Sequence, residues 1–112
     1  MEENKTLLDP IVGYLIFLSN GQKLIVETNK VSKEELRASW VTLQADDIFE
    51  IILIPVSQGH VNIEIKRFSE NPFCPKEVNI NTDKIMYFFN FTRSSDLGKA
   101  FIQSRSGIQL VS

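Results

Sequence analysis

Apolar and polar residues alternate along several short segments of the chain, a pattern typical of half-buried β-strands. The segment 11–18 is rich in β-branched and aromatic residues, and Ser19-Asn20-Gly21 after it is typical of a hairpin turn because Asn and Gly accept positive φ. A second strand is therefore predicted over 22–28. Further strands are predicted over 40–44, 48–56, 60–68 and 85–91, and 78–80 is a candidate for an additional short strand. The segments 40–44 and 48–56 could instead form one long strand, bent at Asp46-Asp47.

Helical signals occur at two places. Ser32 with Glu35 three residues later has the spacing of a capping box, and it predicts one or two helical turns or a long loop within 31–39. Ser94 or Ser95 can cap a helix over 94–106, which has Asp96 in its first turn. Gly107 would end this helix.

The order of these elements predicts one mainly all-β domain over 1–112. An N-terminal arm over 1–10 would lead into a barrel over 11–92, followed by the C-terminal helix over 94–106. About five short, hairpin-connected strands are typical of a small, strongly bent five-stranded barrel of the SH3 or Sm type.

Composition narrows the function classes. The chain has 112 residues and a net charge of −2, which argues against coating nucleic acid by bulk charge but leaves room for a local basic patch. Its single cysteine, Cys74, is typical of a reducing cytoplasm. The polar N-terminus shows no secretory signal, and the apolar runs are too short to span a bilayer. A cytoplasmic protein without membrane contact is expected.

The last strand is apolar on both faces. Ile85, Tyr87, Phe89 and Phe91 fall on one face, and Met86 and Phe88 fall on the other. An antiparallel edge strand with one solvent-exposed face is expected to alternate apolar and polar residues, and this strand does not. Either the C-terminal helix covers both faces, or a neighbouring subunit covers the apolar side chains that the helix does not reach. The second alternative predicts self-association.

Signals for catalysis and metal binding are weak. His60 is the only histidine, and it follows a glycine turn where an exposed side chain is expected. No spacing pairs it with Ser57 or Cys74 as a nucleophilic site requires. One cysteine and one remote histidine cannot build a zinc site, and Asp46-Asp47 is better interpreted as a solvated bend. No catalytic residue, metal or cofactor is predicted.

Basic residues beside aromatic residues give a modest signal for nucleic acid, because aromatic rings stack on bases and cations bind phosphates. One group lies in the second loop and the other surrounds the proline-containing loop. The alternative is that the two phenylalanines pack this loop onto the barrel while the charges are solvated. The candidate binding residues are Lys30, Lys33, Arg37, Arg67, Phe68, Phe73 and Lys76. Arg93, Lys99 and Arg105 form a weaker third patch.

The hairpin Leu15-Ile-Phe-Leu-Ser-Asn-Gly-Gln-Lys-Leu-Ile-Val26 resembles the opening hairpin of Sm-like (LSm/Hfq) proteins. The rest is similar to a phage-encoded Sm-like family of marine tailed phages, notably cyanophages. The features that carry this similarity are Trp40 to Leu43, the apolar run ending at Pro55, Asn71-Pro72-Phe73, Val78 to Ile85, and the closing helix with Gly107-Ile108. Two elements of Sm proteins are absent, an Asp-x-x-Met-Asn motif in the first loop and an Arg-Gly pair where Asn81-Thr82-Asp83 stands.

The resemblance implies a bent barrel whose fourth strand joins the fifth strand of the next subunit, in a homo-oligomeric ring of about five to seven subunits. The candidate interface residues are Val61, Ile63, Ile85, Met86, Tyr87, Phe88 and Phe89. It also implies that loops 29–39 and 69–82 bind RNA or single-stranded DNA. The leading hypothesis is a non-enzymatic ring that binds RNA in the host cytoplasm. The alternative is a phage structural or adaptor module that acts through protein contacts.

Overall fold

The computed structural model describes residues 9–70, 72–73 and 76–106. Within them the chain forms seven strands and two helices, joined in places by single 3-10 turns. In chain order these are β1 (Ile11–Leu18), β2 (Lys23–Glu27), α1 (Lys33–Leu36), β3 (Trp40–Gln44), β4 (Ile48–Ser57), β5 (His60–Arg67), β6 (Glu77–Asn81), β7 (Ile85–Thr92) and α2 (Asp96–Ser106). The predicted mainly β fold with a helix after the last strand is confirmed.

Five of the strands form one antiparallel sheet in the order β5-β4-β2-β1-β7. Gly21 and Gly59 have φ of 94° and 73°, so the β1–β2 and β4–β5 hairpins turn at the predicted glycines. The described parts of β5 and β7 do not pair with each other, and the sheet is therefore open at both edges.

The strands β3 and β6 form a second, two-stranded sheet. A 3-10 turn over Ala45–Asp47 redirects the chain after β3, and β4 then pairs with β2 and β5. The prediction of one long bent strand across Asp46-Asp47 is therefore wrong. The count of about five strands describes the larger sheet only.

Each face of the larger sheet carries a hydrophobic cluster, because successive strand residues point to opposite sides. The first cluster joins Ile16 and Val26 of the sheet to Leu36 of α1 and Leu43 of β3. The second cluster joins Leu15, Ile25 and Phe49 to Phe101 of α2. The β3–β6 pair with α1 thus covers the first face, and α2 covers the second.

Local capping signals locate both helices. Glu35 N donates to Ser32 Oγ at 3.1 Å, and Ser32 N donates to a Glu35 carboxylate oxygen at 2.8 Å, which confirms the predicted capping box. Ser95 caps α2 by accepting from Gly98 N at 2.9 Å, so this helix begins two residues later than predicted. Gly98 is buried, and a Cβ there would lie 2.8 Å from Arg93 O, which explains the small residue.

The segment before β1 is tied to the segment before α2. Asp9 accepts hydrogen bonds from Ser94 N at 2.9 Å and from the Ser94 hydroxyl, and Arg93 N donates to Pro10 O at 2.9 Å. Most of the predicted arm, residues 1–8, lies outside the described residues. The hydrogen bonds from Ser94 and Thr92, together with the charge of Lys99, lower the pKa of Asp9.

This lowered pKa predicts how Asp9→Asn affects stability at different pH. A carboxyl with a depressed folded-state pKa stabilises the fold above its unfolded value of about 3.9, and this contribution disappears as pH falls through the folded value. We therefore expect Asp9→Asn to be less stable than the parent at pH 7, and the difference to shrink as pH falls below about 3.9. Urea unfolding followed by the fluorescence of Trp40 measures this difference across the pH series. A gap that does not shrink on acidification would mean that the carboxylate charge is not responsible.

Candidate functional site

The outer half of the β4–β5 hairpin extends beyond the rest of the sheet. β2 pairs only with the Ile48 to Ile51 part of β4, and beyond it β4 pairs with β5 alone. Val61 and Ile63, two of the candidate interface residues, are therefore 53% and 60% exposed. They lie on the same face of β5 as Ile65, but no described part of the protomer covers that face here.

The strand β7 is covered at one end only. The ring of Phe91 packs edge-to-face on Phe101 of α2, with centroids 5.8 Å apart. Met86, Tyr87 and Phe89 remain 65%, 51% and 46% exposed. The alternative in which the C-terminal helix covers both faces of this strand is therefore wrong for the described residues.

A bulge changes the predicted facing of β7. Tyr87 lies opposite Phe17 and Ile85 lies opposite Leu18, so Met86 is the extra residue between them. Ile85 and Phe88 consequently both pack against the first cluster and are half-buried. The prediction that Ile85 shares a face with Tyr87 is wrong, and these two candidates contribute mainly to their own core.

The exposed apolar residues of the two edges lie on the same face of the sheet. Phe17 stacks with Tyr87 at a centroid distance of 4.5 Å and with Phe89 at 5.9 Å, on the face that also carries Phe91. Ile63 shares that face, because it is two residues from Ile65, which packs against the second cluster. The sheet thus ends at both edges in uncovered apolar side chains on the α2 side.

The candidate nucleic-acid residues do not form one patch. Five of the seven line three separate clefts, and Phe73 and Lys76 line none of these. The charged cleft, of about 320 Å³, is lined by Glu27, Lys30, Asp46, Asp47, Phe49, Arg67 and Arg105. The α1–β7 cleft, of about 420 Å³, is lined by Tyr14, Lys33, Arg37, Tyr87, Phe88, Phe89 and Asn90. The β5 cleft, of about 390 Å³, is lined by Gln22, Glu50, Ile52, Lys66, Arg67, Phe68, Glu70 and Pro72.

Two of the three cations in the charged cleft are paired with carboxylates. Lys30 Nζ lies 3.7 Å from an Asp47 carboxylate oxygen, and Arg105 forms an ion pair with Glu27. The Arg67 guanidinium lies 5.0 Å from the centroid of the Phe49 ring and donates to Arg105 O at 3.3 Å. A phosphate entering this cleft would meet the acidic residues as well as the basic ones.

The two cations of the α1–β7 cleft are not compensated in this way. Lys33 and Arg37 are exposed, and neither forms an ion pair with a described residue. The cleft wall carries Tyr14 and Phe88, whose rings pack edge-to-face at 5.8 Å. Cationic and aromatic groups therefore lie together here.

The remaining candidates take different positions. Phe68 is half-buried against the first cluster, as the packing alternative for this residue predicted. Phe73 is 92% exposed. Lys76 is exposed, and its carbonyl accepts from Ala45 N at 2.7 Å, which holds the start of β6 to the turn after β3. Cys74 and Pro75 of the same loop lie outside the described residues.

Sequence reasoning missed two residues of the α1–β7 cleft, Tyr14 and Asn90. They lie opposite each other in the β1–β7 pairing, which no local pattern indicates. It also missed the contact between Glu27 and Arg105, although Arg105 belongs to the weaker third patch. For the α1–β7 cleft itself, a local signal was present in the sequence. Lys33 and Arg37 are four residues apart, and such residues share one side of a helical turn.

The described residues contain no group of three or more His, Cys, Asp or Glu side chains placed to hold a metal ion. His60 is exposed at the start of β5, as predicted. Neither described helix has the length and apolar character needed to cross a membrane.

Comparison with known proteins adds no further constraint. No protein-family model matches the chain, and a search of curated proteins finds no significant match.

Proposed function

We propose that this chain assembles head to tail into a homo-oligomeric ring that binds single-stranded nucleic acid, with RNA as the expected ligand, and catalyses no reaction. The observation that carries the proposal is the pair of open sheet edges, β5 and β7, each with uncovered apolar side chains.

An open edge strand presents free backbone N–H and C=O groups and is a template for pairing with another chain. Full burial of one large apolar side chain stabilises by about 1.5–3 kcal/mol, and several such side chains are half or more exposed at these edges. Joining β5 of one copy to β7 of the next would continue the sheet. It would place Ile63 beside Tyr87 and Phe89 in one apolar stripe.

The topology agrees with the resemblance seen in the sequence. In chain order the strands of the larger sheet are β1, β2, β4, β5 and β7, so its fourth and fifth strands are the two edges. These are the strands through which Sm-like subunits join. Because the two edges differ, their contact is heterologous, and such contacts give either rings or open filaments. The resemblance supports a closed ring of about five to seven bent, barrel-like subunits.

Nucleic-acid binding is supported by the α1–β7 cleft, where uncompensated cations lie beside aromatic rings. Aromatic surfaces accept bases of any sequence, and cations neutralise phosphates. The competing proposal is an adaptor that contacts only proteins. The net charge of −2 and the carboxylates of the charged cleft favour it.

Light scattering of the purified protein, alone and with fluorescein-labelled eight-nucleotide oligo(U), oligo(A) or oligo(dT), separates these proposals. We expect one uniform species of several subunits that binds at least one oligonucleotide, with affinity that falls steeply between 50 and 200 mM salt (roughly the range over which phosphate contacts weaken). A uniform monomer would overturn the assembly. A ring that binds no oligonucleotide would overturn nucleic-acid binding and favour the adaptor proposal.

A further inference from the structure

The α1–β7 cleft brings two like charges together. Lys33 is the first residue of α1 and Arg37 follows its last residue, so the two are one helical turn apart. Like charges at this spacing destabilise a helix by a few tenths of a kcal/mol. No carboxylate is among the described residues that line the cleft. A bound anion would remove this repulsion.

The rest of the cleft lining is aromatic and partly polar. Tyr14 and Phe88 both line the cleft, and their ring planes cross at 88°. Asn90 is exposed, lies opposite Tyr14 in the strand pairing, and lines the same cleft. Its amide can both donate and accept hydrogen bonds, as the edge of a base requires.

We propose that the α1–β7 cleft binds one nucleotide unit of a single strand, with its phosphate between Lys33 and Arg37 and its base against the half-buried ring of Phe88, beside the small exposed part of Tyr14. Asn90 then contacts the edge of the base. The proposal rests on the proposed function and assigns it a site. A cleft volume of about 420 Å³ lies within the range of about 300–1,000 Å³ that small-molecule sites occupy.

The charged cleft is the weaker choice for this ligand. Two of its three cations, Lys30 and Arg105, already pair with Asp47 and Glu27, so a phosphate would compete with those carboxylates. In the α1–β7 cleft no described carboxylate pairs with Lys33 or Arg37.

The first test is the double variant Lys33→Gln with Arg37→Gln, against a control with Lys23→Gln and Lys84→Gln. The control also removes two positive charges, at positions that lie outside the cleft and outside the candidate binding residues. Fluorescence anisotropy with the labelled oligo(U) and oligo(dT) probes measures binding at 50 and 200 mM salt. We expect the cleft variant to bind at least about tenfold more weakly, since each charged hydrogen bond contributes that much or more. The control should bind within about twofold of the parent.

Salt dependence gives an independent measure. A single strand contributes about 0.7 to the slope of log K against log salt for each phosphate that is neutralised. Because the site holds one phosphate between the two cations, its loss should lower the slope by about 0.7. An unchanged slope in the cleft variant contradicts the site.

A second variant, Asn90→Asp, keeps the size of the side chain and adds a negative charge inside the cleft. We expect it to weaken oligonucleotide binding about tenfold, whereas Asn20→Asp, at the exposed turn between β1 and β2, should change it less than twofold. Because Asn90 is exposed, the fold should tolerate the change, and light scattering checks that the assembly persists.

The outcomes separate this proposal from the broader one. If the parent binds and the cleft variants bind equally well, the site is wrong while the proposed function stands. If the parent ring binds no probe, both fail. If the variant with Lys33→Gln and Arg37→Gln is monomeric, the two cations take part in the contact between copies, and the nucleotide site is overturned.

Discussion

Ile63→Lys is expected to convert the assembled protein into monomers, and Tyr87→Lys is expected to do so from the opposite edge. Ile63 lies in the middle of β5, and Tyr87 lies in β7 against Phe17. In the proposed contact each would be buried beside the neighbouring strand. A lysine there would have to leave water without a partner, which costs several kcal/mol, and lysine on an edge strand is a device by which natural sheets prevent pairing.

Mixing the two variants tests the head-to-tail geometry itself. The Ile63→Lys protein keeps an intact β7 edge, and the Tyr87→Lys protein keeps an intact β5 edge. One contact can therefore form between them and no further contact can follow. We expect an equimolar mixture to give a one-to-one heterodimer, seen by native mass spectrometry, while each variant alone remains monomeric.

Trp40→Lys is the matched control for both edge variants. Trp40 is an exposed large apolar residue of β3, which is not part of the larger sheet. Its replacement removes a comparable apolar surface and adds the same charge, and the mass of the assembly should not change. A symmetric contact between two copies of β7 would give a different pattern. Ile63→Lys would then still dimerise, and the mixture would form no heterodimer, which would contradict the proposed ring.

Local signals allowed much of the fold to be predicted. The turn at Asn20-Gly21 and the capping box of Ser32 and Glu35 depend on residues at most three positions apart, so the sequence contains the whole interaction. The pairing of β3 with β6 spans more than thirty residues, from Trp40 opposite Asn81 to Gln44 opposite Glu77. No short pattern records it, which is why β3 could be interpreted as the first half of β4.

Alternation predicts the face of a residue but not what covers that face. Val61 and Ile63 follow the same pattern as Ile65, yet only Ile65 lies far enough along the hairpin to reach the second cluster. In β7 the apolar residues are nearly continuous, so the alternation of apolar and polar residues could not indicate the bulge at Met86. The sequence therefore identified an uncovered strand correctly while misassigning Ile85.

The candidate site shows the same limit. Lys33 and Arg37 could be predicted to lie together because they are close in sequence. Tyr14 and Asn90 meet only because the first and last strands of the sheet are neighbours. Lys30 belongs to the same loop as Lys33, but it faces Asp47, so loop membership alone grouped residues that the fold separates.

Phe101→Ala is expected to have the largest effect on the stability of the protomer. Phe101 is fully buried, and its ring packs edge-to-face on Phe49 at 5.0 Å and on Phe91 at 5.8 Å. Truncating such a residue destabilises by about 3–5 kcal/mol, whereas a domain of this kind has a total stability of about 5–15 kcal/mol. Urea unfolding followed by circular dichroism should show a large fall in the midpoint.

The neighbouring Ile102→Ala is the control, because Ile102 is on the same helix but only half-buried. A loss in Phe101→Ala no larger than in Ile102→Ala would show that α2 does not anchor the second cluster.

Loss of this anchor should also change how copies associate. α2 covers Phe91 and Phe49 and leaves Tyr87 and Phe89 exposed, so the helix determines where the apolar edge of β7 ends. With the helix undocked, the apolar surface would extend from the edge across the whole second face, and contiguous exposed patches of that size promote aggregation. Phe101→Ala should therefore give polydisperse aggregates by light scattering, in contrast to the monomers expected of Ile63→Lys. The difference would show that α2 limits association to the strand edges.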